Sequence, residues 1–547
     1  MAAICAIGGL IFNWLTDHRY PEAVAPERLA AATFVAIAVV ALVLTVERRR
    51  WQWALAFAGG WGLVIAGVGW FTASYNSNPT IFEWPYLSGI FAVLIAAPLF
   101  QTVRDEGAWR FPYEKLHNHA WMDAVIGAAS LFFTGVAFLL AWLIAGLFNL
   151  IGIEAVKNLL EKEWFGWMLA GFAFGAAVGL LRERDALLTT LQRLVMVVFS
   201  VLAPVLAVAL VLFLASMPFT GLDELWKSDI PATPLLLLAG AGAILLVNAV
   251  IGNGKSERSP NRVLQWSALA LVLTVLPLAL IAALSIGQRI GQYGWTPERI
   301  WGVIAVVVAI VYGAAGWWAV FKGRLDFDDH VRPLQIQLAI CLCGLALFLA
   351  LPILDFGAIS AKSQMARMVN ARIPAANFDW RAMAFDFGPA GRRRLRTFAR
   401  SGSADQRKLA SAALASNNRY DVEEQVQKVE SAANLGTRLR VLPEGTVLPP
   451  DLLSSIAGTR YCRVGPCVTI LAGERRAVIA GPLIKDGTVE SALLERNSKG
   501  VWSEDVTALS VAKPPFRPNL ESAPVELRKV ERRQLFVDGM PVGNAFE

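Results

Sequence analysis

Apolar residues fill the first two thirds of this chain in long blocks broken by short polar loops, and the pattern changes after residue 358. A helix needs about 20 apolar residues to cross ~30 Å of hydrocarbon. The blocks predict eleven spans, at 2–15, 29–46, 51–73, 84–103, 122–149, 164–181, 191–217, 232–252, 263–287, 300–321 and 333–357. Backbone groups in lipid have no water to bond, so each span is predicted as a helix. The first is short, and reads as a true span, a clipped one or a signal-like segment. Met1–Leu10 holds no Lys or Arg, whereas a cleavable signal peptide wants a basic start, so an uncleaved span is favoured.

Within the spans, Gly171, Gly175 and Gly179 recur every four residues and line one helix face. Such a ladder lets a neighbouring backbone approach closely. A partner helix in the same chain is favoured over a second copy, and the oligomeric state stays open. Pro204, Pro277 and Pro352 are expected to kink helices or to unwind them.

Beyond the bundle of residues 1–358, residues 359–435 read as a polar, largely helical connector. Ser403-Ala-Asp-Gln406 has the spacing of a capping box ahead of an Ala-rich helix that ends near Asn417-Asn418. Residues 436–547 read as a small β-rich extracytoplasmic domain. Strands are predicted at 468–471, 476–480, 489–495, 501–506 and 525–537, with turns at Asn497–Gly500 and Asp538-Gly539. The fold class is therefore an α-helical polytopic membrane bundle of about eleven transmembrane helices with a C-terminal soluble α+β domain, β-rich at its end.

Charge adds a direction. Residues 1–358 hold 22 Lys/Arg and 23 Asp/Glu, while 359–547 hold 28 and 20, so the net charge of +7 comes from the tail. No basic stripe interleaved with aromatics accompanies it, and no nucleic-acid partner is implied. Alternate loops carry fifteen Lys/Arg (Arg48, Arg49, Arg50; Arg104, Arg110, Lys115; Arg182, Arg184, Arg193; Lys255, Arg258, Arg262; Lys322, Arg324, Arg332) against seven in the opposite set. Positive loops stay in the cytoplasm. This places the N-terminus in the cytoplasm and the tail outside, which in a Gram-negative inner membrane is the periplasm. Several of the 19 Trp sit where spans meet loops, as indole prefers.

Cysteine bears on the same question. Cys5, Cys341 and Cys343 fall in apolar spans, whereas Cys462 and Cys467 flank a Gly-Pro turn in the tail. In an oxidising compartment the latter pair is expected to form a disulfide. Free thiols and half of a metal site are the alternatives, and the absence of His from the tail weakens the second.

Candidate chemistry is sparse. No Asp, Glu, Lys or Arg sits mid-span, and Asn248 is the most polar clear case, which counts against a proton-coupled pump. The four histidines are assigned to loops. A haem would need axial ligands inside the bundle, so no cofactor is implied. His117, His119 and Asp123 form a permissible ligand set, but a solvated interfacial loop is favoured, and no metal site is assigned. Neither a P-loop nor a Gly-x-Ser-x-Gly is present. The segment Arg289–Trp301 stands out on the outer side. Thr296 can cap a helix that starts at Pro297 with Glu298 in its first turn. That reading competes with a binding site for an anionic lipid or sugar-phosphate headgroup built from Arg289, Tyr293, Gly294, Thr296 and Arg299.

The Arg-x-x-x-Tyr-Gly-Trp-Thr-x-x-Arg pattern of that segment, inside a multi-span region, resembles bacterial membrane proteins grouped as domain-of-unknown-function family 4153, over roughly residues 85–400. The resemblance implies a bacterial inner-membrane location and brings no activity or catalytic residues. The favoured reading is a non-enzymatic envelope protein that contacts membrane lipid and holds its tail for a periplasmic protein or cell-wall partner. The alternative is a lipid-linked glycosyltransferase-like enzyme, with Asp17 in the first outer loop as its acidic residue. A transporter ranks third.

Overall fold

A computed structural model describes residues 1–17, 24–47, 49–75, 83–221, 231–370, 373, 378–416, 418–422, 435–459, 461–462, 465–482, 489–497, 500–505, 519–522, 524–525, 533–537 and 540–546. Among them, ten helices are long and apolar enough to cross a membrane, and the helix at Ala2–Thr16 is apolar but shorter. In chain order the helices are α1 (Ala2–Thr16), α2 (Pro26–Thr45), α3 (Trp51–Tyr75), α4 (Glu83–Glu106), α5 (Tyr113–Leu150), the short α6 (Ala155–Leu160), α7 (Glu163–Glu183) and α8 (Asp185–Thr220). They continue as α9 (Ala232–Ile251), α10 (Arg262–Tyr293), α11 (Pro297–Gly323), α12 (Asp328–Ala350), α13 (Phe356–Val369), α14 (Gly388–Ser401) and α15 (Ala404–Ala415).

The chain divides into two compact units, Met1–Pro374 with Ala382–Leu395, and Ala375–Arg381 with Arg396–Glu547. In the first, small residues set how closely the helices approach. A Cβ on Gly171 would run into the Cys5 carbonyl, one on Gly175 would reach the Met1 carbonyl at 2.8 Å, and one on Gly9 would run into the Trp167 carbonyl. The glycine ladder is thus a seat for α1, which runs antiparallel along α7 inside the same chain. Phe12 closes that contact on Trp167, with ring centroids 4.6 Å apart. A larger core joins α8, α9, α10 and α11 around Ala203, Ala243, Leu271, Leu278 and Ala282, all at or below 1% exposure.

Two expectations about helix ends are corrected. The last span does not run to 357. It ends at Ala350, and Leu351 is already extended (φ −73°, ψ 148°). The residue before a proline is pushed out of the helical region, and Pro352 follows. Pro204 and Pro277, by contrast, lie inside the continuous helices α8 and α10. The fifth span starts at Tyr113 and not at 122, so His117 and His119 belong to a helix and not to a loop. His330 likewise lies on α12, while His18 falls outside the described residues.

In the second unit the capping box forms. Ser403 N–H donates to Gln406 Oε1 at 2.9 Å, and Gln406 N–H donates to Ser403 Oγ at 3.3 Å. A five-stranded sheet follows in the order β1 (Leu439–Leu442), β2 (Cys467–Leu471), β3 (Arg476–Pro482), β4 (Val489–Arg496) and β5 (Trp502–Asp505). β1 runs parallel to β2 and the rest are antiparallel. The parallel step needs a crossover, supplied by helix α16 (Pro450–Gly458), whose Leu452 and Ile456 are fully buried in the sheet's core. A separate hairpin pairs β6 (Arg533–Val537) with β7 (Met540–Phe546). β1 was not foreseen. The expected strand 525–537 and the Asp538-Gly539 turn lie partly or wholly outside the described residues.

Candidate functional site

The conspicuous segment Arg289–Trp301 forms a tight corner between α10 and α11. Gly294 has φ +75°, a conformation that L side chains rarely adopt. Thr296 Oγ1 accepts from Arg299 N–H at 3.4 Å, and Pro297 takes the first helical position. The last carbonyls of α10 have no intrahelical partner, and side chains fill that role. Arg299 Nη1 donates to the Gly294 carbonyl at 2.6 Å. Arg367 on α13 donates to Gly291 and Gln292, and Gln364 donates to Tyr293 at 2.8 Å and Trp295 at 3.1 Å. Trp295 N–H is received by Ser363 Oγ at 3.2 Å.

Of the expected residues, Tyr293, Gly294, Thr296 and Arg299 are therefore brought together, with the Arg299 guanidinium 5.4 Å over the Tyr293 ring. Arg289 is exposed on the last turns of α10, and its side chain forms no ion pair or hydrogen bond among the described residues. The corner is first of all a helix cap, with cations at the negative end of a helix dipole. Its partners on α13 carried no sequence signal, because their acceptors are backbone carbonyls. Beside it, Trp84 stacks on Trp301 and Phe356 meets Trp301 edge-on, each with centroids 5.5 Å apart, which ties the starts of α4, α11 and α13 to this end of the bundle. Asp17 caps the end of α1, exposed, with its N–H on the Asn13 carbonyl at 2.7 Å.

The opposite end is denser in charge. Arg104 and Arg182 converge on the last carbonyls of α2. Arg104 Nη1 donates to Thr45 at 2.7 Å, and Arg182 donates to Val46 at 2.7 Å and also to Leu44. His119 Nε2 lies 3.1 Å from Asp105 Oδ2, and Arg104 Nε lies 2.9 Å from Asp105 Oδ1. Gln101 donates to both Asp123 oxygens, at 3.0 and 3.2 Å. Gln101, Arg104, His119, Asp123 and Arg182 border a cavity of about 650 Å³ that also touches Met1 and Gly179.

Further along the same end, Arg258 and Arg332 flank the buried Asp328 at 3.0 and 2.8 Å, and Lys255 pairs with Asp329 at 2.8 Å. The Asp329 hydrogen bond and charge hold the Lys255 ammonium above the usual lysine range. Four loops counted as positive are thus interlocked in two clusters at one end of the bundle.

The ligand set His117, His119, Asp123 does not assemble. His117 Nδ1 faces Tyr113 Oη at 3.2 Å, while His119 turns to Asp105. Residues two apart on a helix point to different faces. No group of three or more His, Cys, Asp or Glu that could hold a metal occurs among the described residues.

In the tail domain, Cys462 and Cys467 are joined by a disulfide, with Cα atoms 5.2 Å apart. Both lie at or below 1% exposure, packed with Tyr461, Leu452 and Ile479. Asp451, at the start of α16, accepts from Trp502 Nε1 at 3.1 Å and pairs with Arg496 at 2.7 Å.

The family model described as Domain of unknown function (DUF4153) matches residues 34–381, well over half the chain. The chain belongs to this family. The DUF4153 match begins inside α2, earlier than the expected residue 85, and stops short of 400. It takes in both polar ends of the bundle and leaves out α1 and the disulfide-bearing domain. No curated protein and no solved structure matches the chain.

Proposed function

We propose that the chain is a non-enzymatic inner-membrane envelope protein whose DUF4153 bundle holds the C-terminal domain on the periplasmic face, for contact with a partner protein or cell-wall component. The observation that carries this reading is the Cys462–Cys467 disulfide, buried in the core of the tail domain. Disulfides persist in oxidising compartments and are rare in the cytosol of mesophiles. The positive loops support the same sidedness. Arg104, Arg182, Arg258 and Arg332 gather at one end of the helices, and positive ends stay cytoplasmic.

The test is a pair of fusions after Tyr420. Alkaline phosphatase is expected to be active there and green fluorescent protein dark. The reverse pattern sinks the assignment. Crosslinking from the periplasmic side should then recover a defined partner with the full chain but not with one cut after Leu395. Equal recovery by both would move the contact to the bundle.

A further inference from the structure

A second large cleft opens between α5, α8, α9 and α10, with a volume of about 570 Å³. That falls within the ~300–1,000 Å³ typical of ligand sites. Its longest wall is one face of α8, where Thr189, Gln192, Arg193, Met196, Val197 and Val201 follow helical spacing. From Thr189 to Val201, twelve steps of about 1.5 Å or ~18 Å, the wall passes from polar to apolar.

The polar end is completed by Asn118 on α5 and by Ser256, Glu257 and Ser259 in the loop before α10, and Leu264 in the first turn of α10 also lines the cleft. The loop is fixed rather than free. Ser259 N–H donates to the Val250 carbonyl at 3.1 Å, and Asn253 Nδ2 donates to Asn118 Oδ1 at 3.1 Å. Ser200 Oγ ties α8 to α9 through the Ala249 carbonyl at 3.1 Å. Yet neither the Arg193 nor the Glu257 side chain forms a hydrogen bond or ion pair among the described residues, although both line the cleft. One cation and one anion at the charged end of an amphipathic cleft, beside a lipid-exposed helix face, match an amphipath that carries both charges.

We propose that this cleft holds a zwitterionic phospholipid with a primary ammonium headgroup, its phosphodiester on Arg193, its ammonium on Glu257, and its upper acyl chains along Val197 and Val201. A guanidinium forks onto phosphate oxygens. A carboxylate accepts N–H bonds from a primary ammonium, which a trimethylammonium cannot donate. The lipid comes from the leaflet at the arginine-rich end, whichever side that end faces.

The test is native mass spectrometry of the full chain in detergent, titrated separately with dioleoyl phosphatidylethanolamine, phosphatidylcholine and phosphatidylglycerol. Phosphatidylethanolamine is expected to bind about fivefold tighter than either other lipid, as a charge-assisted hydrogen bond allows. Glu257→Gln should abolish the preference over phosphatidylcholine, and Arg193→Ala should weaken all three lipids. Val201→Trp, which fills the apolar end without touching a charge, should weaken all three. Equal binding of the three lipids by the native chain overturns the proposal, as does an unchanged preference in Glu257→Gln. So does a Val201→Trp chain that binds them as the native one does.

Discussion

Arg332 Nη2 lies 2.8 Å from Asp328 Oδ2, one turn earlier on α12, and also donates to the Ile251 carbonyl at 2.9 Å. Arg258 Nη1 reaches the other Asp328 oxygen at 3.0 Å. These are contacts of charge rather than aligned hydrogen bonds. Asp328 is 1% exposed and Arg332 8%, so the carboxylate holds two guanidiniums where water screens little. It joins the loop before α10 to the start of α12.

Removing that carboxylate should leave two cations facing each other. Asp328→Asn is expected to lower stability by about 3–5 kcal/mol, read as a fall in Tm in detergent. Asp326→Asn, at a carboxylate that is three-quarters exposed, should shift Tm little. Equal Tm values for the two variants would show that the buried carboxylate contributes nothing special.

Gly171→Leu should unseat α1. The Cβ already runs into a backbone carbonyl, which unlike a flexible side-chain end cannot swing away. Overpacking costs about 1–3 kcal/mol. Thiol labelling of Cys5, buried in the native packing, is the measurement. Labelling should rise in Gly171→Leu and stay low in a Gly166→Ala control, where nothing lies within 4 Å.

Cys462→Ser should destabilise the tail domain by about 2 kcal/mol, the loop-closure contribution of so short a ring. Trypsin should cut the tail faster while fragments of the bundle persist. In the native chain, alkylation under denaturing conditions before reduction should leave both tail cysteines unlabelled. Labelled Cys462 or Cys467 would show that the pair is reduced in the cell.

Asp451 makes the tail sensitive to acid. Partial burial works to raise its carboxyl, but hydrogen bonds from Trp502 Nε1 and backbone N–H groups, with the Arg496 charge, outweigh it and hold it below the usual carboxylate range. A lowered folded pKa contributes stability that is fully present above the unfolded value, ~3.9, and is lost as pH falls through the folded one. Pepsin sensitivity of the tail in the full chain should therefore rise below about pH 4. Asp451→Asn should shift the profile by raising sensitivity already at the upper end. Superimposable profiles would remove Asp451 from the account.

The spans were legible because twenty apolar residues leave few alternatives, and the glycine ladder because it repeats every four positions. Their ends were harder to read. Tyr113, His117 and His119 continue α5 into its polar first turns, which hydropathy does not register. β1 escaped because Leu439–Leu442 spans four residues and, among the described residues, pairs with a strand lying beyond α16. At the α10–α11 corner the sequence carried Thr296 and Gly294 plainly. The role of Arg367 and Gln364 was invisible, since they reach carbonyls 69 to 76 residues away.

The α1–α7 contact also carries a timetable. Cys5 leaves the ribosome 166 residues before Gly171, an interval of roughly 10–30 s at ~5–20 residues per second. Throughout that time α1 has α2 beside it, where Gly8 faces Val39, but lacks its glycine seat on α7, and it is too short to span the bilayer comfortably alone. Its docking is therefore a late event in biogenesis. The close approach of Cys5 and Gly9 to α7 is completed only when Trp167 and Gly171 have followed them into the membrane.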